Sequence, residues 1–181
     1  STLDSIYSLE SGYLKTNCSL CFQLQINLRF AKSELLEKRF NGVNKIVSMI
    51  KNGNNGIKKQ ICKYVNEYKI LDEILKDFHH QLVNPFISIL TQLIQNQFNV
   101  QSYLLSFWEI SIKQSSSIAP EFFSGWKNLI SNQQIRNDIF DKYSDALFFK
   151  ISESLNFPNA SFPFLNEICV YANEDQKESV F

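Results

Sequence analysis

The sequence predicts an all-α protein, and three observations carry that reading. Apolar residues recur three and four apart in block after block. No block sustains the period-two alternation of a half-buried strand. Short breakers built from Asn, Gly, Pro and Ser separate the blocks, so each one has the length of a helix and a place to stop.

Residues Thr16 to Lys32 form the first predicted helix, with Leu20, Leu24 and Leu28 four apart and Phe22, Ile26 and Phe30 beside them. The next block, Ser33 to Asn52, is the most clearly amphipathic. Leu36, Phe40, Val43, Ile46, Val47 and Ile50 fall on one stripe of a 3.6-residue helix, and most of its charged residues fall off it. This spacing assigns Phe40 and Val47 to the core. Ser33 is placed to cap the first turn, and Gly53-Asn54-Asn55-Gly56 is expected to end the helix through positive-φ residues.

Ile57, Ile61, Tyr64, Val65 and Tyr68 mark a third helix, and Ile70, Leu71, Ile74 and Leu75 either continue it or begin a short successor. Asn84-Pro85 has the form of an N-cap followed by proline at the first helical position; a helix starting nearer Phe78 would instead be kinked there. Phe86, Ile89, Leu90, Leu93 and Ile94 form the stripe in either case, with Leu90 in the core.

Asn99 is a cap for a helix carrying Val100, Tyr103, Leu104, Phe107 and Trp108, and Ser115-Ser116-Ser117 stops it. Pro120 opens another with Phe122, Phe123, Trp126, Leu129 and Ile130. Ile135, Ile139, Tyr143, Leu147, Ile151 and Leu155 trace a long four-spaced ridge, and Phe162 to Ala172 reads as a last helix. About eight helices joined by short loops make antiparallel neighbours. Helix pairs following one another at about 40 residues give the spacing of an armadillo or HEAT solenoid, the arrangement this sequence favours over a closed bundle.

Composition narrows the function classes. Apolar residues are 44% and charged residues 20%, which is globular, and 181 residues are enough for one domain with a sizeable core. Eighteen basic and eighteen acidic residues balance, so no net field favours nucleic acid or an anionic membrane. No apolar run reaches the roughly 20 residues that span a bilayer. The expected location is the cytoplasm, with the nucleus as a second compartment. The chain starts without Met and reads as a segment of a longer protein, residues 1–181 being one helical-repeat region.

Candidate chemistry is sparse. Cys18 and Cys21 have the spacing of half a zinc site, but a structural site needs four ligands and no second pair is nearby; all four cysteines, Cys18, Cys21, Cys62 and Cys169, read as reduced, buried thiols. His79 and His80 are adjacent, so on a helix they point to different sides, one to solvent and one into a turn. Trp108, Trp126, Phe122 and Phe123 suit either an aromatic docking groove or, at helical spacing, the core. Gly53 to Gly56 lacks the Lys-Ser/Thr of a phosphate loop. No catalytic residue, cofactor site or metal site is expected, and the expected partners are proteins.

Two segments carry a family resemblance. LLEKRFNGVNKIVSMI, followed by YVNEYKILDEILKDFHHQLV, resembles the armadillo-like region of the very large ubiquitin-specific proteases of the fat-facets type. The matching runs are Glu37 to Val43, Lys69 to Leu75 and His80 to Val83, and SYLLSFWEISIKQ and FFSGWKNLI look like the helices that follow. The resemblance covers roughly residues 20 to 130. It implies a non-catalytic scaffold in the protein deubiquitination pathway, with ubiquitinated substrates reached through the parent protein. Those proteases set their catalytic Cys in a Gly-Asn-Thr-Cys context that none of the four cysteines shares, so the resemblance places the protease domain outside this segment. LLSFWEIS, the helix from Tyr143 to Pro158 and the ending EDQKESVF also look like part of an importin-β-type nuclear transport receptor, which is the alternative.

Overall fold

The computed structural model describes residues 18–113, 119–154, 170, 171, 174 and 178. Among them the chain is helical and forms no strand. The helices are α1 Cys18–Ala31, α2 Leu36–Asn52, α3 Asn55–Glu67, α4 Ile70–Lys76, α5 Val83–Gln95, α6 Gln101–Lys113, α7 Ala119–Ser131 and α8 Gln133–Ser154, with a 3-10 turn at His80–Leu82. The chain divides into two compact units, Ser1–Gln92 and Leu93–Phe181. The predicted helix from Phe162 to Ala172 and the Ser115 to Ser117 terminator lie outside the described residues, except that Val170 and Tyr171 are helical.

In the first unit α1 and α2 are antiparallel and touch along their backbones. Gly42 makes this possible. A Cβ there would lie 2.5 Å from the Ala31 nitrogen, 2.7 Å from Phe30 Cβ and 2.8 Å from the Asn27 oxygen, closer than side-chain carbons approach. Around this contact Leu24, Leu28, Val43, Ile46 and Ile50 of the pair meet Ile61, Val65, Ile70 and Ile74 of α3 and α4 as the buried core.

Several boundaries depart from expectation. Ser33 does not cap α2. Hydrogen bonds from Lys32 N to Arg29 O and from Ser33 N to Phe30 O tie Ser33 to the end of α1, and its hydroxyl accepts from Leu35 N at 3.2 Å within the turn. Leu35 occupies the N-cap position without a side-chain bond. The Gly-Asn corner contains no positive φ either: Gly53 is extended at φ −77°, ψ 151°. The corner is closed from the other side, because Asn54 Oδ1 accepts from Ile57 N at 3.0 Å and starts α3. Gly53 is small because a Cβ would sit 2.8 Å from Ile57 Cγ2.

Among the described residues of the first unit, the one that turns left-handed is Lys69, at φ 53°, ψ 44°, which separates α3 from the short successor α4. Phe40 is only half-buried; its neighbour Arg39 is the buried one, at 6% exposure, where its guanidinium reaches Asp77 at 2.7 Å. Val47 and Leu90 are buried as the stripe requires. Pro85 follows neither predicted arrangement. The 3-10 turn leads into a helix that begins at Val83, so Pro85 falls in the first turn, where its missing N–H would have had no helical partner, and Asn84 is an exposed helical residue.

The second unit contains the aromatic core. Its approach begins at the C-terminus of α5, where Gln97 adopts φ 64° and Phe98 N reaches back to Leu93 O at 3.0 Å, the bond pattern of a Schellman cap. Asn99 Oδ1 then accepts from Gln101 N and opens α6 as predicted. Asn132 does the same for α8 through Ile135 N, and Arg136 Nη1 donates to the Ile130 carbonyl at the end of α7. On α8, Ile135, Ile139, Leu147 and Ile151 are buried, while Tyr143 is half-buried and donates its hydroxyl to Phe98 O at 3.4 Å.

Candidate functional site

The residues singled out from the sequence are taken up by structural roles. Cys21 and Cys62 are reduced and buried in the first unit. Burial pushes the Cys62 thiol up to about 12, the opposite of what an attacking thiolate needs. The side chain of Cys18 and the whole of Cys169 lie outside the described residues. Among the described residues no three His, Cys, Asp or Glu side chains converge as metal ligands would.

His79 and His80 do not point apart. His79 is extended, at φ −85°, ψ 143°, so the helical rule that would separate adjacent side chains does not apply. Their rings lie 4.1 Å apart at 37°. His79 Nδ1 accepts from Gln81 N at 3.3 Å and so caps the 3-10 turn.

The tryptophans and their partners are core, not groove. Trp108, Trp126, Phe107 and Phe122 are fully buried. The Phe107 ring stacks on Trp126 at 5.1 Å and on Phe122 at 5.7 Å, while Trp108 meets Trp126 edge-on at 5.8 Å. Trp126 Nε1 donates to Ser111 Oγ at 3.1 Å, and that hydroxyl donates to the Phe107 carbonyl at 2.6 Å. The Phe123 side chain lies outside the described residues.

A groove that no sequence motif marks runs along α1 and α2. Its volume is near 370 Å³, at the low end of the roughly 300–1,000 Å³ of ligand pockets, and its walls include Gln23, Asn27, Lys45, Ser48 and Met49. No carboxylate lines it. A second apolar ridge on α1, Phe22, Ile26 and Phe30, is only partly covered, with Phe22 59% and Phe30 42% exposed and Ile26 half-buried. The sequence carried the signal, since α1 has two four-spaced apolar ridges and one core can bury only one. Lys38 and Lys45, on the α2 side, are exposed and make no ion pair with any described residue.

The zero net charge conceals a segregation. Twelve basic and eight acidic residues lie in Ser1–Gln92, whereas six basic and ten acidic lie in Leu93–Phe181. In the second unit one face of α8 carries Asp138, Asp141 and Asp145 together with Lys142 and with Phe149, which is 65% exposed. At 100° per residue Asp138, Asp145 and Phe149 fall within one narrow stripe. No family model matches this sequence, and no curated protein and no solved structure matches it. Among the described residues no helix is long and apolar enough to cross a membrane.

Proposed function

We propose that this chain is a non-catalytic, armadillo-like interaction scaffold of a large ubiquitin carboxyl-terminal hydrolase. One observation carries the reading: the close-packed α1–α2 pair leaves an apolar ridge and a basic, amide-lined groove open, while the buried thiols, His79 and the tryptophans serve packing and capping. A helix pair with one buried and one open face is the unit from which a solenoid presents a long docking surface. Residues 35–50 and 64–83, which carry the family resemblance, supply α2, the end of α3, α4 and the 3-10 turn beside this pair.

In this reading the function is non-covalent. The helix pairs hold a substrate or regulator in position for a protease domain elsewhere in the parent protein. Two measurements test it. Sequencing the complete reading frame should reveal a Gly-Asn-Thr-Cys box; a continuation of helix pairs without one would favour the nuclear transport receptor. A thiol-reactive ubiquitin probe should leave Cys18, Cys21, Cys62 and Cys169 unmodified, and stoichiometric labelling of any of them, abolished by its replacement with Ala, would overturn the scaffold role.

A further inference from the structure

Three of the five glycines follow an asparagine, in the pairs Asn41-Gly42, Asn52-Gly53 and Asn55-Gly56. In such a pair the main chain can attack its own side chain, because a residue without a Cβ leaves its amide nitrogen unshielded beside the preceding carboxamide. By sequence the three pairs are equivalent. The fold makes them unequal.

Asn41-Gly42 is locked. Both residues lie inside α2, so the Gly42 N–H belongs to the helical ladder, and the helical backbone at Asn41 holds that nitrogen out of line with the carboxamide. Gly42 is also buried against α1, where a single added carbon would already meet Ala31 N at 2.5 Å and Asn27 O at 2.8 Å. The main chain has no room to swing as ring closure requires.

The other two pairs flank the corner between α2 and α3. Asn52 is the last residue of α2 and is exposed. Gly53 has left the helix at φ −77°, ψ 151°, and its N–H donates to Ile50 O over a long 3.3 Å. The Asn52 carboxamide is held no better, donating to Ser48 Oγ at 3.4 Å. Asn55 is the exposed first residue of α3, so the Gly56 N–H is one of the first-turn donors without an acceptor in its own helix. Helix ends open far more readily than packed helix interiors.

We infer that the α2–α3 corner is a site of spontaneous covalent modification, Asn52 and Asn55 deamidating through a cyclic imide while Asn41 stays intact. The Gly53 nitrogen attacks Asn52 Cγ; the new N–Cγ bond replaces the Cγ–Nδ2 bond, and ammonia leaves with the proton from the glycine nitrogen. One water then opens the ring. Opening at Cγ gives aspartate, and opening at the Asn52 main-chain carbonyl gives isoaspartate, in which the chain runs through the former side chain and is one carbon longer. Asn55 and Gly56 react in the same way. Each event exchanges a neutral amide for a carboxylate and consumes only water. Asn52 and Gly53 line the α1–α2 groove, so the new charge enters a wall whose one charged side chain is Lys45, about two turns back on α2. The reaction needs no partner and holds whether or not the chain is a scaffold.

Peptide mapping by mass spectrometry, on the chain aged in heavy-oxygen water at mildly alkaline pH, tests it in the folded state and in urea. In the folded chain Asn52 and Asn55 should each convert about tenfold or more faster than Asn41, to aspartate and isoaspartate carrying one heavy oxygen. In urea the three rates should converge, since only the fold separates them. Either corner asparagine converting as slowly as Asn41 in the folded chain, or the same ranking persisting in urea, would overturn the inference. A chain carrying both Asn52→Gln and Asn55→Gln, at exposed positions where the longer side chain would have to close a six-membered ring, should melt as the parent does. On ion exchange it should stay one main species where the aged parent splits into progressively more acidic ones. Equal acidification of the two chains would place the reaction elsewhere and overturn the assignment to the corner.

Discussion

Trp126 donates its indole N–H to Ser111, and Ser111 passes a hydrogen bond on to the Phe107 carbonyl, all within a fully enclosed aromatic cluster. A buried tryptophan needs an acceptor, and here α6 supplies one by turning a serine hydroxyl back on its own helix. Removing the hydroxyl leaves the indole N–H unsatisfied. Ser111→Ala is expected to cost about 1–3 kcal/mol, measured by urea unfolding. The loss should shrink in a Trp126→Phe background, where no donor remains; equal losses in both backgrounds would show that the relay carries no energy of its own.

Gly42 sets the spacing of α1 and α2. In an isolated helix Gly→Ala is favourable by roughly 1 kcal/mol, yet here the new methyl meets Ala31 N at 2.5 Å and Asn27 O at 2.8 Å, backbone atoms that cannot rotate away. The steric effect wins. Gly42→Ala is expected to destabilise by about 1–3 kcal/mol, the range for overpacking, and an increase in stability would show that the helices can separate freely.

Lys69 sits in the left-handed region between α3 and α4. That conformation costs an L-residue roughly 1–2 kcal/mol, and glycine avoids it while losing more chain entropy on folding. Lys69→Gly is therefore expected to raise stability by about 0.5–1 kcal/mol relative to Lys69→Ala, which removes the same exposed side chain without relieving the backbone. Equal stability of the two variants would mean that the turn is not strained.

Much of the helical layout was legible from apolar spacing, and Asn99 marked a helix start that the structure bears out. The failures share a cause: each depended on which neighbour a residue meets. Ser33 was bound into the end of α1, the Gly53 corner was closed by Asn54, and His79 became a cap in extended backbone. Periodicity also cannot centre a stripe to better than one residue. It assigned Phe40 to the core, whereas the approach of α1 at Gly42 rotated the buried face towards Arg39. The α1–α2 groove has no chemical motif to mark it in the sequence, because its walls are mostly amide, hydroxyl and apolar side chains with the single charge of Lys45.

The half-burial of Phe40 has a measurable consequence. Phe40→Ala is expected to cost about 1–2 kcal/mol, since only part of the ring leaves water on folding. Leu90→Ala, at a fully buried site, should cost about 2–5 kcal/mol through lost transfer energy and a cavity. Unfolding experiments that reverse this order would place Phe40 in the core after all.

The first unit also contains an alkaline liability. Burial pushes the Cys62 thiol up to about 12 from an ordinary value of 9.0, and burial, with the nearby Glu67 adding to it, pushes the Tyr64 hydroxyl up to about 12 from 10.0. Both groups ionise more readily in the unfolded chain than in the folded one. Below about pH 9 both states hold both protons, so stability is independent of these groups; between pH 9 and 12 the unfolded state releases protons first and stability falls. Each fully ionising group contributes a slope of about 1.4 kcal/mol per pH unit. Urea unfolding from pH 7 to pH 11 is expected to show this decline, and Cys62→Ala, although less stable at pH 7 for want of its buried sulfur, should show a shallower one. Parallel pH profiles for the two proteins would mean that the Cys62 thiol ionises as easily folded as unfolded, and that the core around α3 admits water.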